Sequence, residues 1–227
     1  MQIGLLFPQT EIGSDPSGLR EYARASVEAG FDHVVTYEHV LGAVPERLPP
    51  DYAPYGIEDP FHEPFCLFSF LAAVAPELGF ATAILVLPQR QAPLVAKQAV
   101  DVQLKSGGKF RLGVGIGWNY AEFEGMGCDF KTRSSRMEEQ VEVLRLLWSR
   151  ERVDYQGRFH RLEGVGLNPR VQVPVWFGGR AAPALRRAAV LGDGFFPLAP
   201  LEGGWEDTFD RMRTWRREAG LPWEGFG

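Results

Sequence analysis

Two adjacent residues, Glu38 and His39, have the side chains expected of proton-transfer chemistry. A histidine imidazole exchanges a proton near neutral pH and serves as a general acid or base. His39 ends an apolar, β-rich run and precedes a proline-rich segment that would shield it from water. The alternative is a histidine whose nitrogens are bound by loop carbonyls, and position alone leaves both interpretations open. The other histidines share no metal-ligand spacing with it, so no metal site is predicted.

A glycine pair and an arginine, Gly178, Gly179 and Arg180, join a predicted strand to a predicted helix. Glycines let the backbone approach a ligand, the first N–H groups of a helix attract an anion, and a guanidinium adds a fork of donors. This combination favours a phosphate site. A tight turn between a strand and a helix that binds no ligand would have the same residues, so that alternative stays open.

Three alternating glycines, Gly113, Gly115 and Gly117, precede Trp118. Their spacing differs from the GxGxxG of dinucleotide sites, and they lie within and just past a strand instead of opening a helix. They would either make room for a flat ring system beside Trp118 or allow close packing of strand and helix. The chain contains neither GxxxxGK[ST] nor GxSxG, so P-loop and serine-hydrolase functions have no support.

The elements that must position these residues alternate between short β-rich runs and amphipathic stretches, which is typical of parallel βαβ units. The six predicted strands are Ile3–Phe7, His33–Tyr37, Gly79–Leu87, Phe110–Ile116, Val173–Phe177 and Gly194–Leu198. The predicted helices are Leu19–Ala29, Pro93–Leu104, Arg133–Ser149, Pro183–Leu191 and Trp205–Ala219, with a buried apolar segment at Phe65–Ala75. Ligands bind at the carboxyl ends of such strands, where the residues above lie.

The organisation predicted is one α/β domain over residues 1–227 with two insertions. Residues 41–63 carry five prolines and read as a rigid lid, and residues 151–162 read as a small hairpin that turns at Gln156 and Gly157. Six strands fit either an open doubly wound sheet or a (β/α)8 barrel truncated after about six βα units. Composition and periodicity do not choose between these.

Composition narrows the function classes. The chain is 45% hydrophobic and 23% charged, with a net charge of −5, which argues against a nucleic-acid partner. Its longest apolar run, Phe65–Ala75, is far shorter than the roughly 20 residues of a membrane span. The amino terminus lacks the basic region of a signal peptide. We therefore expect a soluble, cytoplasmic protein with no membrane partner.

Taken together, six stretches resemble the bacterial-luciferase-like superfamily of flavin- and coenzyme F420-dependent oxidoreductases. In chain order they are MQIGLLFPQ, AGFDHVVTYEHV, LGFATAILVLPQRQAPLVAKQ, LKSGGKFRLGVGIGWNYAEFE, VDYQGRFHRL and VPVWFGGRAAPALRRAAVLGDGFF. They extend from residue 1 to about residue 197. Their order and spacing are far more specific than any one motif.

The resemblance implies a (β/α)8 TIM-type barrel that binds FMN or coenzyme F420 at its C-terminal face. The family's histidine beside the ring corresponds to His39, the catalytic candidate. Its non-prolyl cis peptide, which backs the ring, falls at Ala83–Ile84. The family's phosphate glycines and the segment beside the ring supply the remaining matches. The cofactor-binding candidates are Ala83, Ile84, Gly115, Asn119, Gly178, Gly179 and, as a helper, Arg180.

The function that the resemblance predicts is hydride transfer between a small organic substrate and coenzyme F420, in a homodimer. One alternative is an FMN-dependent luciferase-like monooxygenase, and another is a flavin-binding protein without turnover. Two departures from the family stand out. The sugar-phosphate dehydrogenase branch has a glutamate where this chain has Trp118. The chain also stops before the family's seventh and eighth strands, so either the barrel lacks them or the sequence is a fragment of a longer barrel.

Overall fold

Strands and helices alternate along the chain in the computed structural model, which describes residues 2–51 and 54–227. The strands are β1 (Gly4–Leu6), β2 (His33–Thr36), β3 (Gly79–Thr82), β4 (Leu85–Val86), β5 (Phe110–Gly115), β6 (Val153–Gln156), β7 (Arg161–Val165), β8 (Val175–Gly179) and β9 (Gly194–Pro197). The helices are α1 (Pro16–Glu28), α2 (Pro64–Val74), α3 (Ala92–Lys105), α4 (Tyr120–Gly125), α5 (Arg133–Ser149), α6 (Ala182–Leu191) and α7 (Gly204–Glu218).

One parallel sheet organises the domain. Its strands follow the order β1, β2, β3, β5, β8 and β9, and the short β4 continues alongside β5. Every pairing in this sheet is parallel, as the βαβ pattern predicts. The sheet curls into a half-barrel that matches the truncated TIM-type fold. The carboxyl ends of the strands therefore converge on one face.

The helices cover the sheet and bury an apolar core. The rings of Phe68, Phe80 and Phe110 pack together between α2 and the sheet, with centroids 5.0 and 6.0 Å from Phe68. Trp148 of α5 is buried and donates its indole N–H to the carbonyl of Ala96 at 3.1 Å. Each fully buried apolar side chain contributes about 1.5–3 kcal/mol. This core fixes the strands whose ends carry the candidate residues.

The third predicted strand is interrupted. The sequence predicted one strand over Gly79–Leu87, but the structure has β3, a break at residues 83 and 84, β4, and a 3₁₀ turn at Leu87–Gln89. The break separates the pairing partners, because β3 lies between β2 and β5 whereas β4 pairs only with β5. The peptide bond between Ala83 and Ile84 is cis. The resemblance predicted a cis peptide at this position, and that prediction is confirmed.

Other predicted segments differ in detail. The hairpin is present as β6 and β7, but it extends to Val165, past its predicted end at residue 162. Its turn comprises residues 157–160 instead of Gln156 and Gly157. Residues 41–51 and 54–63 are irregular apart from a 3₁₀ turn at Pro45–Arg47, and Tyr52 and Ala53 of this predicted lid lie outside the described residues. Helix α4 was not predicted. Within the described part of the chain, no helix is both long and apolar enough to cross a membrane.

Candidate functional site

Three predicted cofactor-binding residues from separate strands meet at the C-terminal face. Ile84, at the break in the third strand, packs its side chain against Gly115 of β5 and Gly178 of β8. A β-carbon on Gly115 would lie 2.7 Å from the Ile84 side chain, and one on Gly178 would overlap its Cγ2 atom. Glycine at both positions therefore has a packing cause, since it makes room for Ile84. Their contact with a cofactor stays a prediction.

The other two alternating glycines also face the interrupted strand. A β-carbon on Gly113 would overlap the carbonyl oxygen of Thr82, and one on Gly117 would lie 2.5 Å from the Val86 side chain. Gly117 also has a φ of +67°, which an L side chain rarely adopts. The contacts that account for these glycines are with the interrupted strand, whereas the sequence analysis expected either a flat ring system or packing of strand against helix.

The loop after β8 presents a positively polarised helix end. Helix α6 begins after Ala181, which supplies no side-chain cap, and its first turn holds no acidic residue. Gly179 lies close to Ala184 of that turn, and Arg180 is exposed beside it. The N–H groups of Ala184 and Leu185 already donate to Ala181, and Pro183 has none, so the helix contributes chiefly the partial positive charge of its amino end. Together with the guanidinium of Arg180, this charge would suit the phosphate of FMN or coenzyme F420.

His39 lies at the carboxyl end of β2 inside a ring of aromatic side chains. Its imidazole centroid is 5.6 Å from the ring of Tyr55, 5.2 Å from Phe61 and 5.3 Å from Trp118. We call these three residues the aromatic cage. They leave only 9% of the His39 side chain exposed, so the predicted catalytic residue lies in a nearly dry environment.

Glu122 of α4 contacts His39 and was missed by the sequence analysis. Its Oε2 atom lies 3.1 Å from His39 Nδ1, and its Oε1 atom accepts the N–H groups of Val40 at 2.5 Å and Leu41 at 3.2 Å. Burial alone would raise the pKa of the Glu122 carboxyl, but hydrogen bonds from His39, Gln89 and Val40 hold it below its usual value. The site therefore pairs His39 with a buried carboxylate.

Asn119, a predicted cofactor-binding residue, has a local structural task. It is buried at the amino end of α4, where its Oδ1 atom accepts the N–H groups of Ala121 at 3.1 Å and Glu122 at 3.3 Å. The structure thus shows an N-cap that positions Glu122, and direct contact with a cofactor stays a prediction. An asparagine followed three residues later by glutamate is a helix-start signal in the sequence, and this signal would have located Glu122.

A buried ion pair supports the same edge of the sheet. Arg90 donates a short hydrogen bond to Glu38 Oε2, and it reaches Glu63 at the end of the predicted lid at 2.9 Å. Burial raises the pKa of the Glu38 carboxyl, while Arg90 and the N–H of Val86 oppose this change. The N–H of Val86 donates to Glu38 at 2.8 Å, so Glu38 joins the end of β2 to β4. This network holds the residue immediately before His39, while Glu122 binds the backbone of Val40 and Leu41 after it.

Known proteins share this chain's sequence and fold. The sequence model of the family described as luciferase-like monooxygenase matches residues 1–226. An uncharacterised protein of Mycobacterium tuberculosis is 32% identical over 209 residues, which cover 87% of this chain and 71% of that protein. An F420-dependent glucose-6-phosphate dehydrogenase of Segniliparus rotundus is 30% identical over 191 residues, covering 80% of this chain and 52% of the relative. The chain thus spans about half the length of that dehydrogenase.

A solved structure shows the same fold. The oxygenating constituent of 3,6-diketocamphane monooxygenase from Pseudomonas putida, a type II Baeyer-Villiger monooxygenase in complex with FMN, superimposes with a TM-score of 0.76 at 17% identity. The match covers the whole of this chain, at 100%, and 66% of that structure. At this identity the likeness extends to the fold alone.

Proposed function

Because the chain belongs to the luciferase-like monooxygenase family, whose members are F420- or flavin-dependent oxidoreductases or monooxygenases, we propose that it transfers a hydride between a small organic substrate and coenzyme F420. The observation that carries this proposal is the position of His39. It lies at the carboxyl end of a barrel strand, enclosed by the aromatic cage and paired with the carboxylate of Glu122. A group so placed is suited to proton transfer in a dry pocket.

The strand ends supply the binding surface in this proposal. Coenzyme F420, when bound, accepts or donates the hydride, and the protein provides binding and orientation. In this proposal Ala83 and Ile84 form the face for a flat ring system, and the side chain of Ile84 is held in place by its packing against Gly115 and Gly178. The amino end of α6 and Arg180 attract the phosphate. These groups match the two chemically distinct parts of the cofactor, an apolar ring and an anionic tail.

His39 manages the proton that accompanies the hydride. When an alcohol carbon gives up a hydride and becomes a carbonyl, its hydroxyl proton must leave as well, and the imidazole of His39 takes it. In the reverse direction His39 returns that proton to the oxygen. The aromatic cage excludes water that would compete for the proton. Acid–base catalysis of this kind accelerates reactions by about 10²–10⁴.

The second candidate function is an FMN-dependent monooxygenase. The enclosure of His39 favours it too, because reduced flavin chemistry with oxygen requires water to be excluded. A flavin-binding protein without turnover is the third outcome. The F420 proposal is preferred because the F420-dependent dehydrogenase is 30% identical, whereas the FMN-dependent neighbour shares 17%.

Spectroscopy on the loaded protein separates these outcomes. The protein is loaded with oxidised F420 or FMN and mixed under nitrogen with a panel of small alcohols, and the cofactor absorbance is followed. The same mixtures with reduced cofactor are then opened to air in an oxygen electrode. We expect substrate-dependent bleaching with F420 and no substrate-dependent oxygen uptake. Substrate-dependent oxygen uptake with reduced FMN, above the autoxidation of the same cofactor without substrate and with oxygen transferred to the product, would establish the monooxygenase. Bound cofactor that shows neither substrate-dependent bleaching nor substrate-dependent oxygen uptake would contradict both activities.

A further inference from the structure

One buried carboxylate, that of Glu122, binds both His39 and the first residues of the loop that follows it. Its two oxygens have separate tasks. Oε1 accepts the backbone N–H groups of Val40 and Leu41, at 2.5 and 3.2 Å, while Oε2 lies 3.1 Å from Nδ1 of His39. The side chain of Glu122 is only 1% exposed. The backbone N–H groups therefore fix the position of the carboxylate that contacts the imidazole.

The chemistry of these contacts determines which nitrogen of His39 carries the proton. An ionised carboxylate only accepts hydrogen bonds, so an imidazole nitrogen beside it must donate. We propose that Glu122 is the positioning residue of the site: it holds His39 as the Nδ1–H tautomer and leaves Nε2 as the nitrogen that exchanges a proton with substrate. The proposal deepens the proposed function and rests on it for its catalytic consequence.

The other groups around His39 do not fix its tautomer. Its other described contacts are the rings of Tyr55, Phe61 and Trp118. Among the residues that the structure describes around the imidazole, the carboxylate is the group that carries a full charge, since the phenol of Tyr55 has its pKa raised by burial and stays neutral. Asn119 caps α4 and holds the backbone of Glu122 in place. The pair is thus preorganised from both sides.

The substitution Glu122→Gln tests the proposal, because it reverses the hydrogen bond without changing the size of the side chain. The backbone donors of Val40 and Leu41 require an oxygen, so they hold the amide oxygen where Oε1 lies now. The amide NH₂ then faces His39 and donates to Nδ1, which must give up its proton. We expect the imidazole to change from the Nδ1–H to the Nε2–H tautomer. Imidazole ¹⁵N chemical shifts in the folded protein, without cofactor, report this directly.

Three variants control the experiment. Glu124→Gln removes the same charge two residues away, from an exposed side chain that pairs with Arg47, and should leave the tautomer unchanged. Glu122→Asp keeps the charge and should keep the Nδ1–H tautomer. His39→Ala identifies the resonances. His160, whose Nδ1 atom lies 2.9 Å from Glu139, serves as an internal standard that should not respond.

Activity of the same variants tests the catalytic consequence. In Glu122→Gln we expect kcat to fall about 10²-fold, the scale of acid–base catalysis, while KM changes little. An Nε2–H tautomer in the unaltered protein, or an unchanged tautomer in a folded Glu122→Gln variant, would overturn the proposal. If Glu122→Gln does not fold, the tautomers of the unaltered protein and of Glu122→Asp decide. If the unaltered protein shows no turnover with F420 or FMN, the proposed function fails, and the ¹⁵N shifts alone decide the role of Glu122.

Discussion

The molecule contains two histidine–carboxylate pairs with nearly the same local geometry. His39 Nδ1 lies 3.1 Å from Glu122, and His160 Nδ1 lies 2.9 Å from Glu139. In both pairs the carboxylate also accepts backbone N–H groups, and in both its pKa is lowered by these hydrogen bonds although burial acts to raise it. The histidine side chains are 9% and 13% exposed. The distances and the burial of the histidines do not tell the two pairs apart, although the side chain of Glu122 is 1% exposed and that of Glu139 is 11% exposed.

The two pairs differ in where they lie in the fold. His39 ends a strand of the barrel sheet and lies in the aromatic cage, on the face where the strand ends converge. His160 lies in the turn of the β6–β7 hairpin, where Glu139 of α5 binds the turn's N–H groups. The same motif therefore joins a hairpin to a helix in one region and serves the candidate site in the other. Position on the barrel assigns the function.

Removing each histidine gives the largest predicted contrast. His39→Ala should lower turnover about 10²–10⁴-fold with cofactor affinity little changed, because it removes the proton-transfer group. His160→Ala should leave turnover near that of the unaltered protein. Steady-state kinetics with F420 measure both. Equal losses in the two variants would mean that both histidines act through stability, and the comparison would fail.

Breaking the ion pair near His39 should destabilise the protein more than breaking an ion pair of the hairpin. Arg90→Met leaves Glu38 buried and unpaired, with its side chain 2% exposed, so we expect unfolding to become easier by about 3–5 kcal/mol. Arg161→Met on the hairpin breaks a pair whose side chains are 71% and 74% exposed, which should cost about 0–1 kcal/mol. Urea unfolding compares them. A loss below about 1 kcal/mol for Arg90→Met would contradict a structural role for this network.

The two carboxylates should show a smaller, pH-dependent effect. A lowered pKa means that each carboxylate stabilises the folded state above its ordinary value of 4.5, and that this contribution is lost as pH falls through the lowered pKa. At neutral pH, Glu122→Gln should cost about 1–3 kcal/mol and Glu139→Gln about 0.5–1.5 kcal/mol. Denaturation as a function of pH should show both differences from the unaltered protein narrowing in acid. A gap that widens below pH 4.5 would have the wrong sign.

Apart from the third strand, the sequence predicted the strands of the sheet to within about two residues, because each is an apolar run bounded by turn residues. The largest difference is β8, which ends at Gly179 and not at the predicted Phe177. Helix α5 was predicted with its observed bounds, since Met137, Val141, Leu144, Leu147 and Trp148 recur at helical spacing and lie buried. The break between β3 and β4 was missed as secondary structure, because Gly79–Leu87 is apolar except for Thr82 and nothing in its pattern marks an interruption. Only the resemblance located the cis bond.

Partners within the site were harder to predict than the residues themselves. His39 and Glu122 are 83 positions apart, and Glu38 and Arg90 are 52 apart. Such contacts depend on the curvature of the sheet, which local patterns do not specify. Helix α4 has only six residues, too few for a periodic signal. The packing of Ile84 against Gly178 also could not be predicted, because it depends on the curvature of the sheet.

The central claim, that the strand ends form a deazaflavin site, is tested most directly by titrating the purified protein with coenzyme F420 and with FMN while cofactor fluorescence is followed. Gly178→Ala, which forces Ile84 to move, is compared with Gly18→Ala, where a β-carbon has open space. We predict that F420 binds more tightly than FMN, that Gly178→Ala weakens F420 binding at least about tenfold, equivalent to 1.4 kcal/mol, and that Gly18→Ala does not. Absence of binding for both cofactors, or equal F420 affinity in the two variants, would contradict the account.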